Sequence, residues 1–457
     1  MLKIKLLILS GMILLIFQSK SQSQFNLDRY LNHTWVDSVF NSLSPDEKIA
    51  QLIWIDVSSG EDLQKQYQVA ELVRKYNFGG LIFFAGKAVK QAELVNYYQS
   101  ISKTPLIVAM DAEWGPGMRL DDVQPFPCNL TMGAVSNDEL IRDCAAAMAK
   151  QLKRIGVQIS LGPVADINTE PKNPIIGIRS FGESREQVTR KCVAYMKGLQ
   201  ENGIIAIAKH YPGHGNTKTD SHLALPLLSV SRQQLDSMEL YPFRKLAAEG
   251  IGGIMTAHLR VPALETKSES PSSLSESAVE GVIRKEWNYK GLIITDAMNM
   301  GGVTGFGEPG KNEVLALKAG NDVIEFPVDG VLTLKAVKEA ILHNELTWNE
   351  INNKCRRVLA AKYLTGLKDR KPLQVANLVE DLNSSSVQFA RRQLMESALT
   401  LLENKNQLIP IQGLDTLRIA ALSVGSSAVT PFQKMLGNYT MIDHFNLSDD
   451  FTETEAN

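Results

Sequence analysis

The sequence is short of several features that would settle its character at once. Cysteine is scarce: Cys128, Cys144, Cys192 and Cys355 stand far apart with no CxxC pair. That removes a zinc knuckle and a dense disulfide framework, and leaves buried free thiols as the expectation. Charge of one sign is lacking too, with a formal net charge of −2 and no long Lys/Arg run. Nothing therefore marks a nucleic-acid partner. No apolar run reaches the roughly 20 residues that span a bilayer. The run at the start, Leu6 to Phe17, is about a dozen residues long, follows Lys3 and Lys5, and gives way to small polar residues. That is the pattern of a secretory leader. Residues 1–23 are expected to be a cleaved signal peptide, which places the chain in the periplasm or outside the cell without a stable membrane span. No internal repeat or low-complexity tract is visible, so a solenoid or a disordered array is not expected.

What is present is an alternation of short apolar, β-branched runs with helical patterns. Eight strand candidates recur: 49–57, 79–85, 106–113, 158–167, 205–212, 252–259, 291–298 and 321–327. Strands this uniformly apolar must be buried on both faces, and the helices between them supply the cover. Eight units over about 300 residues have the size of a (β/α)8 TIM barrel, with an open doubly wound sheet as the alternative. The polar residues favour the barrel. Asp111 and Glu113, Asp166, Lys209 and His210, His258, and Asp296 all fall at the ends of apolar runs. A barrel gathers its chemistry at the carboxyl ends of its strands.

About 430 residues remain after the leader, more than one core usually serves, so two domains are expected. The barrel is assigned to 24–366 and a charged helical linker to 367–395. Residues 396–457, including the strand-like RIAALSVGSS, are expected to begin an α/β domain that the chain does not complete, since one core normally needs on the order of 100 residues.

The densest chemistry lies in KHYPGHGNTKTDSH, residues 209–222; four of the seven histidines fall between His210 and His258. A metal site is one reading, because His210 and His214 stand four apart. Pro212, Gly213 and Gly215 argue against the helix such a pair needs, however, and no HxH follows the first strand. Proton transfer is the other reading. Asp220 and His222 are two apart, so in an extended loop both side chains would point one way and the carboxylate could orient the imidazole. Asp296, closing GLIIT, would then put a lone carboxylate at the barrel mouth; its plainer role is an N-cap.

These segments resemble glycoside hydrolase family 3, in its β-N-acetylglucosaminidase branch. KHYPGHGNTKTDSH is similar to the family's KH(F/Y)PGHG…DSH signature, ITDAMNM to its nucleophile segment, and DAEWGPGMR, GPVADIN, IRSFG and IMTAH follow the family's order. The resemblance runs from about Trp35 to Gly366, and the tail is similar to the start of the α/β sandwich that follows the barrel in many members. It implies Asp296 as nucleophile, His222 as general acid and base, and Asp220 as the group orienting His222. It also implies that Asp111, Arg119, Arg179, Lys209 and His210 bind the terminal sugar. The implied activity is that of a retaining exo-β-N-acetylglucosaminidase acting on non-reducing ends, plausibly of peptidoglycan fragments, with no metal or organic cofactor and a glycan as its partner. The rival readings are a family 3 β-glucosidase, a phosphorolytic enzyme, and an exported sugar-binding protein without turnover. One departure stands out: Trp114, Gly115 and Pro116 replace the family's usual run after Glu113, although Asp111 and Arg119 keep their separation.

Overall fold

The computed structural model describes residues 26–448, apart from 61, 267 and 268. The leader-like stretch therefore lies outside the described residues. Eight parallel strands form one sheet: β1 (Ile53–Ser58), β2 (Gly80–Phe84), β3 (Ile107–Met110), β4 (Ile159–Ser160), β5 (Ile205–Tyr211), β6 (Gly253–Thr256), β7 (Leu292–Thr295) and β8 (Ile324–Glu325). Their order is β7-β6-β5-β4-β3-β2-β1-β8. The two ends meet, because Val323 N–H donates to Ile293 O at 3.2 Å and Thr295 N–H to Val323 O at 3.1 Å. The sheet is thus rolled into the (β/α)8 barrel that the alternation predicts.

The strands are short where the sequence breaks the ladder. The run 158–167 predicts a long strand, yet β4 pairs only over Ile159 and Ser160. Gly162 and Pro163 follow at once, and a proline has no N–H to give. Every residue of β5 and β7 is buried, as a strand between core and helix layer must be. Leu and Ile side chains in such positions contribute about 1.5–3 kcal/mol each. Caps set the helix edges: Asp62 opens Leu63–Tyr76 by accepting from Lys65 N–H at 2.9 Å, and Thr347 with Glu350 forms a capping box for Trp348–Leu364.

The first compact unit runs to Leu399. Within it, the stretch expected to be a linker is packed down. Gln151 donates to Leu382 O at 2.6 Å, Arg154 pairs with Asp381 at 2.9 Å, and Leu378, Leu382, Val387 and Leu394 are buried. The second unit, 400–457, has in its described part a parallel pair, β9 (Ile419–Val424) and β10 (Ile442–Leu447), with the helix Pro431–Leu436 between them. Gln433 caps that helix through Thr430, and its amide also reaches Ala421 O and Phe445 O, tying helix to both strands. All four cysteines are free, three of them buried. Among the described residues no helix is long and apolar enough to cross a membrane.

Candidate active site

The carboxyl ends of the strands surround a cavity of about 400 Å³. Seven of the eight residues singled out from the sequence line it: Asp111, Arg119, Arg179, Lys209, His210, His222 and Asp296. The eighth, Asp220, stands behind His222. A larger cavity of about 560 Å³ lies at the opposite, amino end of the barrel, among Gln99, Lys153, Gln158 and Leu373, and holds none of the residues singled out from the sequence.

One wall is an ion-pair lattice. Lys209, at the end of β5, sits between Asp111 Oδ1 at 2.5 Å and Glu113 Oε1 at 2.9 Å. Arg119 meets the other oxygen of Asp111 at 2.6 Å, and Arg179 takes Glu113 in a fork, Nη2 at 2.6 Å and Nε at 3.0 Å. Burial alone would push both acids up. Lys209 and Arg119 instead hold Asp111 well below the carboxylate range, and Lys209 and Arg179 bring Glu113 down to about 2. Burial likewise pulls Lys209 down, and Asp111 and Glu113 more than reverse it. The wall is fully charged, and its donors and acceptors are fixed in place. Arg119 also stacks over Phe84, 4.5 Å from the ring centroid.

A second cluster holds the segment after β5. Asp166, wholly buried, accepts from His210 Nδ1 at 2.7 Å and from the backbone N–H of His210 and of His214, the latter at 2.6 Å. Burial raises an acid, but His210 and the His214 amide keep Asp166 ionised below its usual range. His214 is itself caught between Thr217 Oγ1 at 2.6 Å and Ser221 Oγ at 2.9 Å. Burial depresses its pKa, which suits a neutral ring used as a strut. His258 plays a similar part, bonded to Ser273 at 2.7 Å and Ala297 O at 3.1 Å. Among the described residues no three His, Cys, Asp or Glu side chains converge as a metal site.

The pairing of Asp220 with His222 differs in its origin from the sequence expectation. The segment is a turn rather than an extended strand: Leu223 and Ala224 N–H both donate to Asp220 O at 3.1 Å. Asp220 Oδ1 accepts the His222 backbone N–H at 2.8 Å and its ring Nδ1 at 2.7 Å. An aspartate closing a turn on the residue two ahead is a local preference of its short side chain. With Nδ1 occupied and the side chain 56% exposed, Nε2 is the atom left for a substrate. Burial would raise Asp220, but the His222 N–H and ring hold it low, so it stays an acceptor.

Asp296 follows β7 directly. Its Oδ1 accepts Ala297 N–H at 2.9 Å, and its own N–H donates to Thr256 O at 2.9 Å. Burial acts to raise it, and the imidazoles of His210 and His258 together with that amide outweigh it, leaving an ionised carboxylate at the cavity. The His222 loop is stitched to the segment that follows Asp296: Gly302 N–H donates to Ser221 O at 2.9 Å and Gly301 N–H to His222 O at 3.0 Å. A Cβ at Gly301 would lie 2.6 Å from Leu223 O, and one at Gly302 2.9 Å from Ser221 O, so only glycine permits this approach.

Three residues gain a clear place only in the structure. Glu113 and Asp166 end strands in the sequence, but nothing there says that one balances Lys209 and Arg179 and the other gathers the β5 turn. Glu325, at the end of β8, lines the cavity as well; its sole sequence signal is an ionisable residue inside VIEFP.

A closed parallel barrel here gathers an ionised carboxylate, an aspartate-held imidazole and an ion-paired polar wall around one cavity, the equipment of an enzyme active site. Residues 44–361 match the glycosyl hydrolase family 3 N terminal domain, and the chain belongs to that family. It is similar to "Beta-hexosaminidase A" of Pseudoalteromonas piscicida, 30% identical over 372 residues, which are 75% of this chain and 62% of that protein. The chain thus spans less than two thirds of that relative's length. Among solved structures it is similar to a glycoside hydrolase family 3 beta-N-acetylglucosaminidase from Paenibacillus sp. str. FPU-7, at 28% identity and a TM-score of 0.77, covering 91% of this chain and 81% of that one. A structure titled "Beta-glucoside phosphorylase BglX" shares the fold, with a TM-score of 0.79 at 22% identity, covering 95% and 78%.

Proposed function

We propose that the protein is a retaining exo-β-N-acetylglucosaminidase that removes N-acetylglucosamine from the non-reducing ends of exported glycans such as peptidoglycan fragments. The observation that carries this reading is that Asp296 and His222 line the same cavity, one ionised and the other held through Nδ1 by Asp220. In the first step an Asp296 oxygen bonds to the anomeric carbon as the glycosidic C–O bond breaks, and His222 Nε2 gives its proton to the departing oxygen. In the second, His222 takes a proton from water, whose oxygen attacks the anomeric carbon and releases Asp296 with net retention. The ion-paired wall of Asp111, Arg119, Arg179, Lys209 and His210 suits a sugar, since each hydroxyl both donates and accepts and charge-assisted bonds are the stronger ones. The leader-like start supports export to the periplasm or beyond.

Turnover of aryl N-acetyl-β-glucosaminide with wild type and Asp296→Ala, beside the matching β-glucoside, tests the assignment. Wild type should favour the acetamido sugar and the variant should be inactive; an active variant would overturn the reading. A second reading follows from the use of an imidazole where a carboxylate would repel an anion: phosphate could replace water in the second step. Faster turnover with formation of the sugar 1-phosphate in phosphate buffer would favour it.

A further inference from the structure

Four carboxyl groups line the cavity, and three are accounted for. Asp111 and Glu113 are ion-paired, and Asp296 holds an amide. Glu325 is different: the residue is 3% exposed, takes part in no ion pair among the described residues, and its Oε2 reaches no donor. Its backbone is pinned on both sides. Glu325 N–H donates to Thr295 Oγ1 at 3.0 Å, and Met298 N–H donates to Glu325 O at 2.9 Å, so the side chain starts from a fixed point on β8. The neighbour in register on β1 is Trp54, fully buried, whose indole N–H also lacks an acceptor. A buried polar group without a partner costs about 1–3 kcal/mol, and an unpaired charge more, so an orphan carboxyl on a ligand cavity is a group awaiting its ligand.

We propose that Glu325 is a specificity-determining carboxylic acid of the sugar site, donating its O–H to a hydroxyl of the glycone that lies between Asp111 and Asp296. This rests on the glycosidase reading. Burial and the negative charges of Asp111 from β3 and Asp296 from β7 push the Glu325 carboxyl well above its usual range, against a weaker opposing pull from Lys209 and Arg119. The shift favours the neutral form of the group, and a neutral acid has one donor to give. A sugar hydroxyl offers the acceptor, and it brings no charge into a site already holding two ion-paired carboxylates and a nucleophile.

The test compares wild type, Glu325→Gln and Glu325→Leu on aryl N-acetyl-β-glucosaminide and its 3-, 4- and 6-deoxy analogues. Gln keeps a donor and should hold kcat/KM within about threefold. Leu should lose roughly 10- to 100-fold, the worth of a hydrogen bond to substrate. One deoxy analogue that is poor for wild type should be no worse for the Leu variant than the parent sugar. Equal kcat/KM for wild type and Leu, or a Leu loss that is the same on every analogue, would overturn the proposal. Two measurements decide it without turnover: the infrared carboxylic C=O band at pH 7 present in wild type and absent in Glu325→Gln, and calorimetric binding of N-acetylglucosamine weakened in Leu but not in Gln. Absence of that band would overturn the proposal. A wild type that binds the sugar but cleaves no glycoside would sink the glycosidase reading alone.

Discussion

Gly301→Ala is the sharpest probe of how the two halves of the site are held together. The Gly301 N–H supports His222 O at 3.0 Å, and an added Cβ would stand 2.6 Å from Leu223 O and 2.8 Å from His222 O. Moving the nearer contact from 2.6 Å to the 3.4 Å of ordinary packing shifts the turn by about 0.8 Å. The imidazole rides on that turn, so Nε2 is carried off the leaving oxygen by a similar distance. A displacement near 1 Å costs on the order of 10²-fold in a positioned proton transfer, about 2.7 kcal/mol in the activation barrier. The assay is steady-state turnover of two aryl N-acetyl-β-glucosaminides, one with a poor and one with an activated leaving group. Loss should be near 10²-fold for the poor leaving group, which needs the acid, and several times smaller for the activated one. Gly305→Ala, where the nearest neighbour to a new Cβ is 3.6 Å away, is the control and should be neutral. If Gly301→Ala keeps wild-type kcat on both substrates, the seam does not position His222 and the reasoning fails.

Other outcomes follow from the same geometry. Asp220→Asn leaves the turn bond but removes the charge that steadies the imidazole; kcat on poor leaving groups should fall 10²- to 10⁴-fold with KM little changed, and an unaltered kcat would refute the dyad. Lys209→Met removes the cation shared by Asp111 and Glu113, leaving them only Arg119 and Arg179, and breaking that buried pairing should lower unfolding free energy by about 3–5 kcal/mol in a urea titration. Glu113, with its carboxyl near 2 against an ordinary 4.5, gives stability that is full above pH 4.5 and is lost as pH falls through 2. Wild type should therefore lose roughly 3 kcal/mol more than Glu113→Gln over that window, measured by urea unfolding at a series of pH values; parallel curves would contradict it.

The barrel was legible because its signals are periodic and local. Fully apolar runs such as GLIIT and IAIA have no stable place except a sheet covered on both sides, and the charged residues that end them announce which rim is used. The individual site residues were legible through the motif around His210, His222 and Asp296. What the sequence hid is pairing across distance. Glu113 and Arg179 are far apart in the chain, and only the closure of the barrel brings them into a fork. Asp166 looks like one more strand-end acid until three donors from the β5 turn are seen converging on it. Glu325 is silent in the sequence because an acid among apolar residues gives no hint of whether it will be paired. The Asp220 turn differs from the extended segment expected, because residue spacing alone cannot distinguish two side chains on one strand face from a side chain folded back on its own backbone.

The loop between β5 and the following helix is tied at both ends, to Asp166 at its start and to Gly301 and Gly302 at its close. Between the ties, Lys218 and Thr219 are exposed and free of those restraints. Length can therefore be added or removed at that point while the reactive groups keep their places. An insertion there would change the reach of the rim toward whatever hangs beyond the sugar, separately from the chemistry beneath it.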